Sequence, residues 1–236
     1  MNRFVFDVDG TLTPSRGKIH KDFAAWFENF ATHNKCYFVT GSDKMKTVEQ
    51  VGLDIYNLAV RAYNCNGNDV YEGSTNIKTT NWQLPDLART FLISSEYESG
   101  FSLRTGNHIE ERPGMVNFSV VGRNATHEQR AEYVVYDTKE NERIKIANAF
   151  NVMFPDLEAK VGGETGIDIS PKGADKSQIL NDFDLNNDNI IFFGDAMQLG
   201  GNDEPLATAN KNGRNYHVKG WEHTWEILRE YSTNRA

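Results

Sequence analysis

Short apolar runs that end in acidic or hydroxyl residues recur along this chain. Arg3–Val8 is the first; it closes on Asp7 and Asp9 and predicts a buried strand whose carboxyl end is in use. Phe23, Trp26, Phe27 and Phe30 follow at helical spacing and predict one buried face. Cys36–Val39 is again strand-like and runs into Thr40-Gly41-Ser42. Lys44–Val51 has a helical pattern that Gly52 would end, and Leu58–Tyr63 predicts another strand. Strands and helices in this alternation predict a parallel sheet with crossover helices.

From about Trp82 the rhythm changes. Met115–Val121 alternates, with Val116, Phe118 and Val120 on one side and Asn117 and Ser119 on the other, which predicts an antiparallel sheet with one solvated face. Thr126 to Gln129 fits a capping box opening a helix toward Tyr136. A second helix is expected over Glu142–Met153 and a short strand at Ile167–Ile169. The parallel pattern then returns, with a helix over Ala174–Phe183 and a buried strand at Ile190–Phe193 that ends in Gly194-Asp195. The expected fold is α/β: a Rossmann-like parallel-sheet core from residues 1–82 and 173–236, interrupted by an inserted α+β cap at 83–172.

The formal net charge of -8 argues against general affinity for nucleic acid or anionic lipid, so neither is an expected partner. No run is long enough to span a bilayer, and Asp7 and Asp9 interrupt any signal pattern at the start, so the expected location is cytoplasmic. Cys36 and Cys65 lack the spacing of a metal site or redox pair, and the histidines lack metal-ligand spacing.

Chemistry concentrates at the predicted strand ends. In Asp7-Val8-Asp9-Gly10-Thr11 the turn at Gly10 can redirect the second carboxylate. One carboxylate can then attack phosphorus while the other handles the proton, and together they can hold a hard divalent cation. A bare Asp-Gly pair is a common turn, but this one has company. Thr40-Gly41-Ser42 offers a hydroxyl and backbone N–H groups to a phosphate, Lys176 a point charge, and Asp195 further carboxylate, with Asn202 and Asp203 a short loop away. All fall where open parallel sheets bind ligands, beyond the carboxyl ends of the strands.

Asp7–Thr11, Thr40-Gly41, Lys176 and Gly194-Asp195 resemble the four motifs of the haloacid dehalogenase superfamily, with the insert in the place of its larger α+β cap type. A narrower resemblance is to the eukaryotic-type phosphomannomutases. It is carried by Asp7–Thr13 with Arg16, Gly41-Ser42-Asp43 with Lys46 and Glu49-Gln50, Asn66-Gly67, and Gly114-Met115 leading to Gly122-Arg123. Gly162-Gly163 and Phe192-Phe193-Gly194-Asp195, then Met197 and Gly200-Gly201-Asn202-Asp203, extend it nearly end to end.

The resemblance implies a hexose-phosphate mutase interconverting mannose 6-phosphate and mannose 1-phosphate. Asp7 would be nucleophile and magnesium ligand, and Asp9 the general acid/base with its backbone carbonyl on the metal. Asp195 would complete the Mg2+ site, with Asn202 and Asp203 in or near its shell. Thr40, Gly41 and Lys176 would hold the transferring phosphoryl group, with Ser42 the alternative to Thr40. Arg112, Arg123 and Arg130 in the cap and Arg16 in the core fall on the family's sugar-phosphate arginines, and Asp168 on a residue that contacts sugar hydroxyls. Planar bidentate donors suit a second phosphate on an otherwise acidic protein. The resemblance also implies a sugar-phosphate partner, a hexose 1,6-bisphosphate activator and a homodimer paired through the cap. Three positions depart from the family pattern: Gly166 for a serine, Pro113 for an asparagine and Thr40 for a glycine. They keep a phosphatase using the same Asp7/Asp9/Mg2+ site open as the alternative.

Overall fold

The computed structural model describes residues 1–15 and 17–233, so Arg16 lies outside the described residues. The chain forms two compact units, Met1–Thr79 with Ala174–Ala236, and Thr80–Gly173. The hydrophobic rhythm predicts the first boundary at 82/83; the first unit ends at Thr79, three residues earlier, and Trp82 packs into the hydrophobic cluster of the second unit.

The larger unit is built on a seven-stranded sheet. Its strands are β1 (Asn2–Phe6), β2 (Cys36–Val39), β3 (Arg61–Asn64), β4 (Asp69–Glu72), β5 (Thr75–Thr79), β10 (Asn189–Gly194) and β11 (Arg214–His217), in the order β11-β10-β1-β2-β3-β4-β5. The strands from β11 to β3 are parallel, and β4 and β5 add an antiparallel hairpin at one edge. Alternation along β1 feeds both faces. Phe4 and Phe6 enter an aromatic layer with α1 (Lys21–His33) and the C-terminal helix Trp221–Thr233, where Phe6 stacks on Phe193 at 5.0 Å and meets Phe27 edge-on at 5.2 Å. Val5 faces the opposite cluster, with Val39, Tyr63, Phe192, Ile179 and Leu206. Sheets buried on both faces carry the near-continuous apolar strands seen here.

Two elements depart from expectation. Residues read as the start of a strand at Leu58 instead close a helix, α3 (Leu53–Leu58), which directly follows α2 (Lys44–Val51) across Gly52. The short apolar run does not distinguish a strand from one turn of buried helix. The segment predicted as a helix from Ala174 is a 3-10 helix over Lys176–Asp182.

The smaller unit has a four-stranded antiparallel sheet in the order β6-β7-β9-β8, from β6 (Ile109–Arg112), β7 (Met115–Phe118), β8 (Leu157–Gly162) and β9 (Gly166–Pro171). Its helices are α4 (Asp86–Glu98), α5 (His127–Glu140) and α6 (Glu142–Met153). The Thr126–Gln129 capping box opens α5 as expected. The face holding Asn117 and Ser119 was expected to be solvated. Both residues are buried instead, and the Asn117 amide donates to Asp168 Oδ1 at 2.6 Å. Among the described residues no helix is long and apolar enough to cross a membrane.

Candidate active site

The parallel register sets β1 beside β10, and both strands release their chains at the same edge: Phe6 pairs with Phe193, and the Asp7 N–H donates to Phe193 O at 2.9 Å. Asp7 and Asp195 follow directly on these strands. After Val8 the chain turns sharply, and the N–H groups of Leu12 and Thr13 both donate to Val8 O, at 3.0 and 3.1 Å. Gly10 makes the turn with φ +73°, and a Cβ there would overlap the Asp195 carboxylate. Only glycine satisfies both constraints.

One carboxylate oxygen from each of Asp7, Asp195 and Asp203 lies within 4.8 Å of the others. Asp203 is fully buried and pinned by the Ala196 N–H, which donates to its Oδ2 at 3.0 Å. Lys176, at the start of the 3-10 helix and with no exposed surface, donates to Asp7 Oδ1 at 2.6 Å and to Asp203 Oδ1 at 2.7 Å. One ammonium therefore bridges two of the three carboxylates. Burial pushes the Asp7 carboxyl well above its ordinary range; Lys176 pulls it back, and Asp203 and Asp195 push it further up. Burial and the Asp203 charge likewise raise Asp195. The Lys176 ammonium is held in its charged form by Asp203 and Asp7 against the cost of burial. A cluster of hard oxygen donors short of positive charge fits a divalent cation that prefers carboxylate ligands. Asn202, beside Asp203, is exposed.

The Asp9 side chain has polar partners of its own, and its charge adds to the upward push on Asp195. Gln50 Nε2 donates to Asp9 Oδ1 at 2.6 Å, and Ser42 Oγ donates to Asp9 Oδ2 at 3.4 Å. Ser42 is thus turned toward Asp9, and its own N–H donates to Thr40 Oγ1 at 3.1 Å. Buried Thr40 is tied to the neighbouring strand through its N–H to Tyr63 O, and its carbonyl accepts from the Asn66 N–H, which shapes the loop at Gly41. Gln50 is the residue whose place in the site sequence reasoning missed. Its signal was a glutamine on the inward face of α2, where Thr47 and Val51 are also buried.

In the smaller unit Arg112 and Arg123 converge on one carboxylate. Arg112 Nε and Nη2 donate to Glu110 Oε1 at 3.1 and 3.0 Å, and Arg123 Nε donates to Glu110 Oε2. Burial works against the charge on Glu110, but the two guanidiniums hold its carboxyl below the ordinary range. Asp168 lies within reach of both arginines' charge, and burial raises it. Arg130 is engaged by Glu164 instead, Nε to Oε2 at 3.3 Å, while its buried Nη2 has no hydrogen-bond partner. The acidic partners Glu110 and Glu164 were not read from the sequence, because both pairings depend on strand and loop register. Gly166 also acquires a reason: a Cβ there would come within 2.6 Å of the Asn117 amide nitrogen.

Comparison with known proteins meets this geometry from the sequence side. A family model described as eukaryotic phosphomannomutase matches residues 23–233. The chain belongs to the eukaryotic phosphomannomutase family. Among the family's members, the phosphomannomutase of Saccharomyces cerevisiae is 33% identical over 237 residues, covering 96% of this chain and 92% of that protein. That of Encephalitozoon cuniculi is 34% identical over 209 residues, covering 85% and 82%. A haloacid dehalogenase-like hydrolase from Bacteroides thetaiotaomicron shares the fold, with a TM-score of 0.61 at 12% identity over 98% of this chain and 99% of its own. The protein is a phosphomannomutase-like phosphotransferase, and its fold is that of the haloacid dehalogenase-like hydrolase. The matched family span begins after Asp7 and Asp9, so the geometry at the end of β1 is what ties those two residues to the site.

Proposed function

We propose that this phosphomannomutase-family chain interconverts mannose 6-phosphate and mannose 1-phosphate through a phosphoryl group carried on Asp7. The observation that carries this reading is the division of labour at the end of β1. Asp7 sits among carboxylates and Lys176, whereas Asp9, two residues on, accepts hydrogen bonds from Gln50 and Ser42. A carboxylate beside a fixed ammonium suits attack on phosphorus, and a carboxylate in a polar setting suits proton exchange.

In this reading Asp7 takes a phosphoryl group from a hexose 1,6-bisphosphate. Asp9 protonates the departing sugar oxygen, then removes the proton from the hydroxyl that takes the group back. Lys176 stabilises charge on the transferring oxygens, and Thr40, Gly41 and Ser42 offer hydroxyl and N–H donors to it. Mg2+ held by Asp7, Asp195 and Asp203, with the Asp9 carbonyl and Asn202 in or near its shell, would neutralise charge on the phosphoryl group. Arg112, Arg123 and Arg130 supply guanidiniums for the substrate's other phosphate, exchanging Glu110 and Glu164 for it.

A phosphatase reading is favoured by one observation. Residue 166 is glycine, packed close to the Asn117 amide, so this position offers no hydroxyl to a sugar phosphate. The two readings separate in one assay. Purified protein with Mg2+ and mannose 1-phosphate is followed for mannose 6-phosphate and for free phosphate, with and without glucose 1,6-bisphosphate. Isomerisation that depends on the bisphosphate supports the mutase; phosphate release without isomerisation supports the phosphatase.

A further inference from the structure

We propose that Gln50 is a positioning residue that fixes which oxygen of Asp9 exchanges the proton. The proposal rests on the reading of Asp9 as acid and base. Gln50 lies in the last turn of α2 with its side chain buried, and its backbone carbonyl accepts the Ile19 N–H at 2.8 Å. Its Nε2 donates to Asp9 Oδ1 at 2.6 Å and stands 3.5 Å from Thr13 Oγ1. The Thr13 hydroxyl is itself committed to Val8 O and Pro14 O, on the turn that carries Asp9. The amide therefore bridges α2 to that turn.

An amide N–H only donates. A proton on Asp9 Oδ1 would set two donors against each other, so Oδ1 stays an acceptor throughout turnover. The proton is confined to Oδ2, the oxygen facing the Ser42 hydroxyl at 3.4 Å. In the forward half-reaction Oδ2–H gives its proton to the ester oxygen as the P–O bond breaks and Asp7 gains the phosphoryl group, leaving Asp9 ionised. In the return half-reaction Oδ2 takes the proton of the attacking sugar hydroxyl as the new P–O bond forms and the P–O bond to Asp7 breaks, releasing the Asp7 carboxylate. Gln50 gains and loses nothing.

The position is poorly explained by stability. Gln50 Oε1 is buried with no hydrogen-bond partner, a cost that an apolar side chain of the same length would remove. Buried unsatisfied groups that persist beside reacting carboxylates point to function.

The test compares donors whose leaving groups differ in their need for a proton. The rate of Asp7 phosphorylation is measured with glucose 1,6-bisphosphate, whose sugar alkoxide needs an acid, and with acetyl phosphate, whose acetate does not. Gln50→Met should slow the bisphosphate reaction roughly 30-fold or more, with KM little changed, and the acetyl phosphate reaction by less than about 3-fold. Gln50→Leu, which removes the donor without adding a titrating group, should repeat the pattern. In an Asp9→Asn background Gln50→Met should add little further loss. Equal losses with both donors, or no loss with the bisphosphate, would overturn the assignment. If Asp9→Asn itself keeps full bisphosphate reactivity, the acid/base reading of Asp9 fails. If Asp9→Asn is impaired and the Gln50 variants are not, only the role of Gln50 fails.

Discussion

Lys176 Nζ lies 2.6 Å from Asp7 Oδ1, and burial isolates the pair from solvent. The contact joins the first strand of the chain to a 3-10 helix 169 residues later, and the same ammonium reaches Asp203 at 2.7 Å. Two buried carboxylates, one buried cation and the more exposed Asp195 define how this centre should respond to mutation, to pH and to metal.

Removing the ammonium should be severe. Lys176→Met leaves Asp7 and Asp203 facing each other without a counter-charge, and breaking a buried pair in this way costs about 3–5 kcal/mol. Thermal unfolding of the cation-free protein should show a clear drop in melting temperature, and added Mg2+ should recover part of it. A variant as stable as the parent would mean that the cluster is already neutral.

Proton and metal should compete. Asp7 and Asp195 titrate above the ordinary carboxylate range in the fold, so the folded state binds their protons more tightly than the unfolded chain does. Their contribution to stability is therefore fully present below the unfolded carboxylate pKa of about 4 and is lost as pH rises through the raised values. Cation-free melting temperature should fall over that window, less so in Asp7→Asn, and the stabilisation by Mg2+ should grow with pH because the cation needs the ionised form. Equal Mg2+ stabilisation at the acidic and alkaline ends would contradict the assignment of these carboxylates as ligands. Glu110, whose pKa is lowered, acts with the opposite sign, its contribution being lost only as pH falls through its depressed value.

Gly10→Ala should fail for two separable reasons. A left-handed alanine costs roughly 1–2 kcal/mol, which unfolding measures. Its methyl group also displaces Asp195, so Mg2+ affinity should fall beyond what the stability loss explains.

Arg123→Ala should act on recognition alone. It leaves Glu110 with one arginine and removes a phosphate donor from the smaller unit, so KM for hexose phosphate should rise about tenfold while phosphorylation of Asp7 by acetyl phosphate is unchanged. A matched loss with both donors would place Arg123 in the reacting centre instead.

Much of this centre was legible before any coordinates. Asp7 and Asp195 stood out because each follows an apolar strand, Lys176 as a point charge near a predicted helix start and Asp203 a short loop after Asp195; the parallel register of β1 and β10 then sets the two strand ends side by side. Cys36–Val39, Lys44–Val51 and Glu142–Met153 match their predicted bounds. The β4–β5 hairpin was not legible: every residue of β5 is exposed, so it has no apolar pattern to read. Nor did periodicity reveal β8, whose only fully buried residue is Ala159. The Arg–Glu110 group depends on which residues stand opposite across β6 and the loop after β7, a register no one-dimensional pattern encodes. Gln50 was visible as a residue but not as a contact, because its partner lies 41 positions away.

The most direct test of the central claim is to trap the phosphorylated protein. With Mg2+ and glucose 1,6-bisphosphate labelled in its phosphoryl groups, acid quenching followed by peptide mass spectrometry should locate one acyl-phosphate on Asp7. Asp7→Asn should carry no label and have no turnover. Label on another residue, or isomerisation by Asp7→Asn at a near-normal rate, would contradict the account.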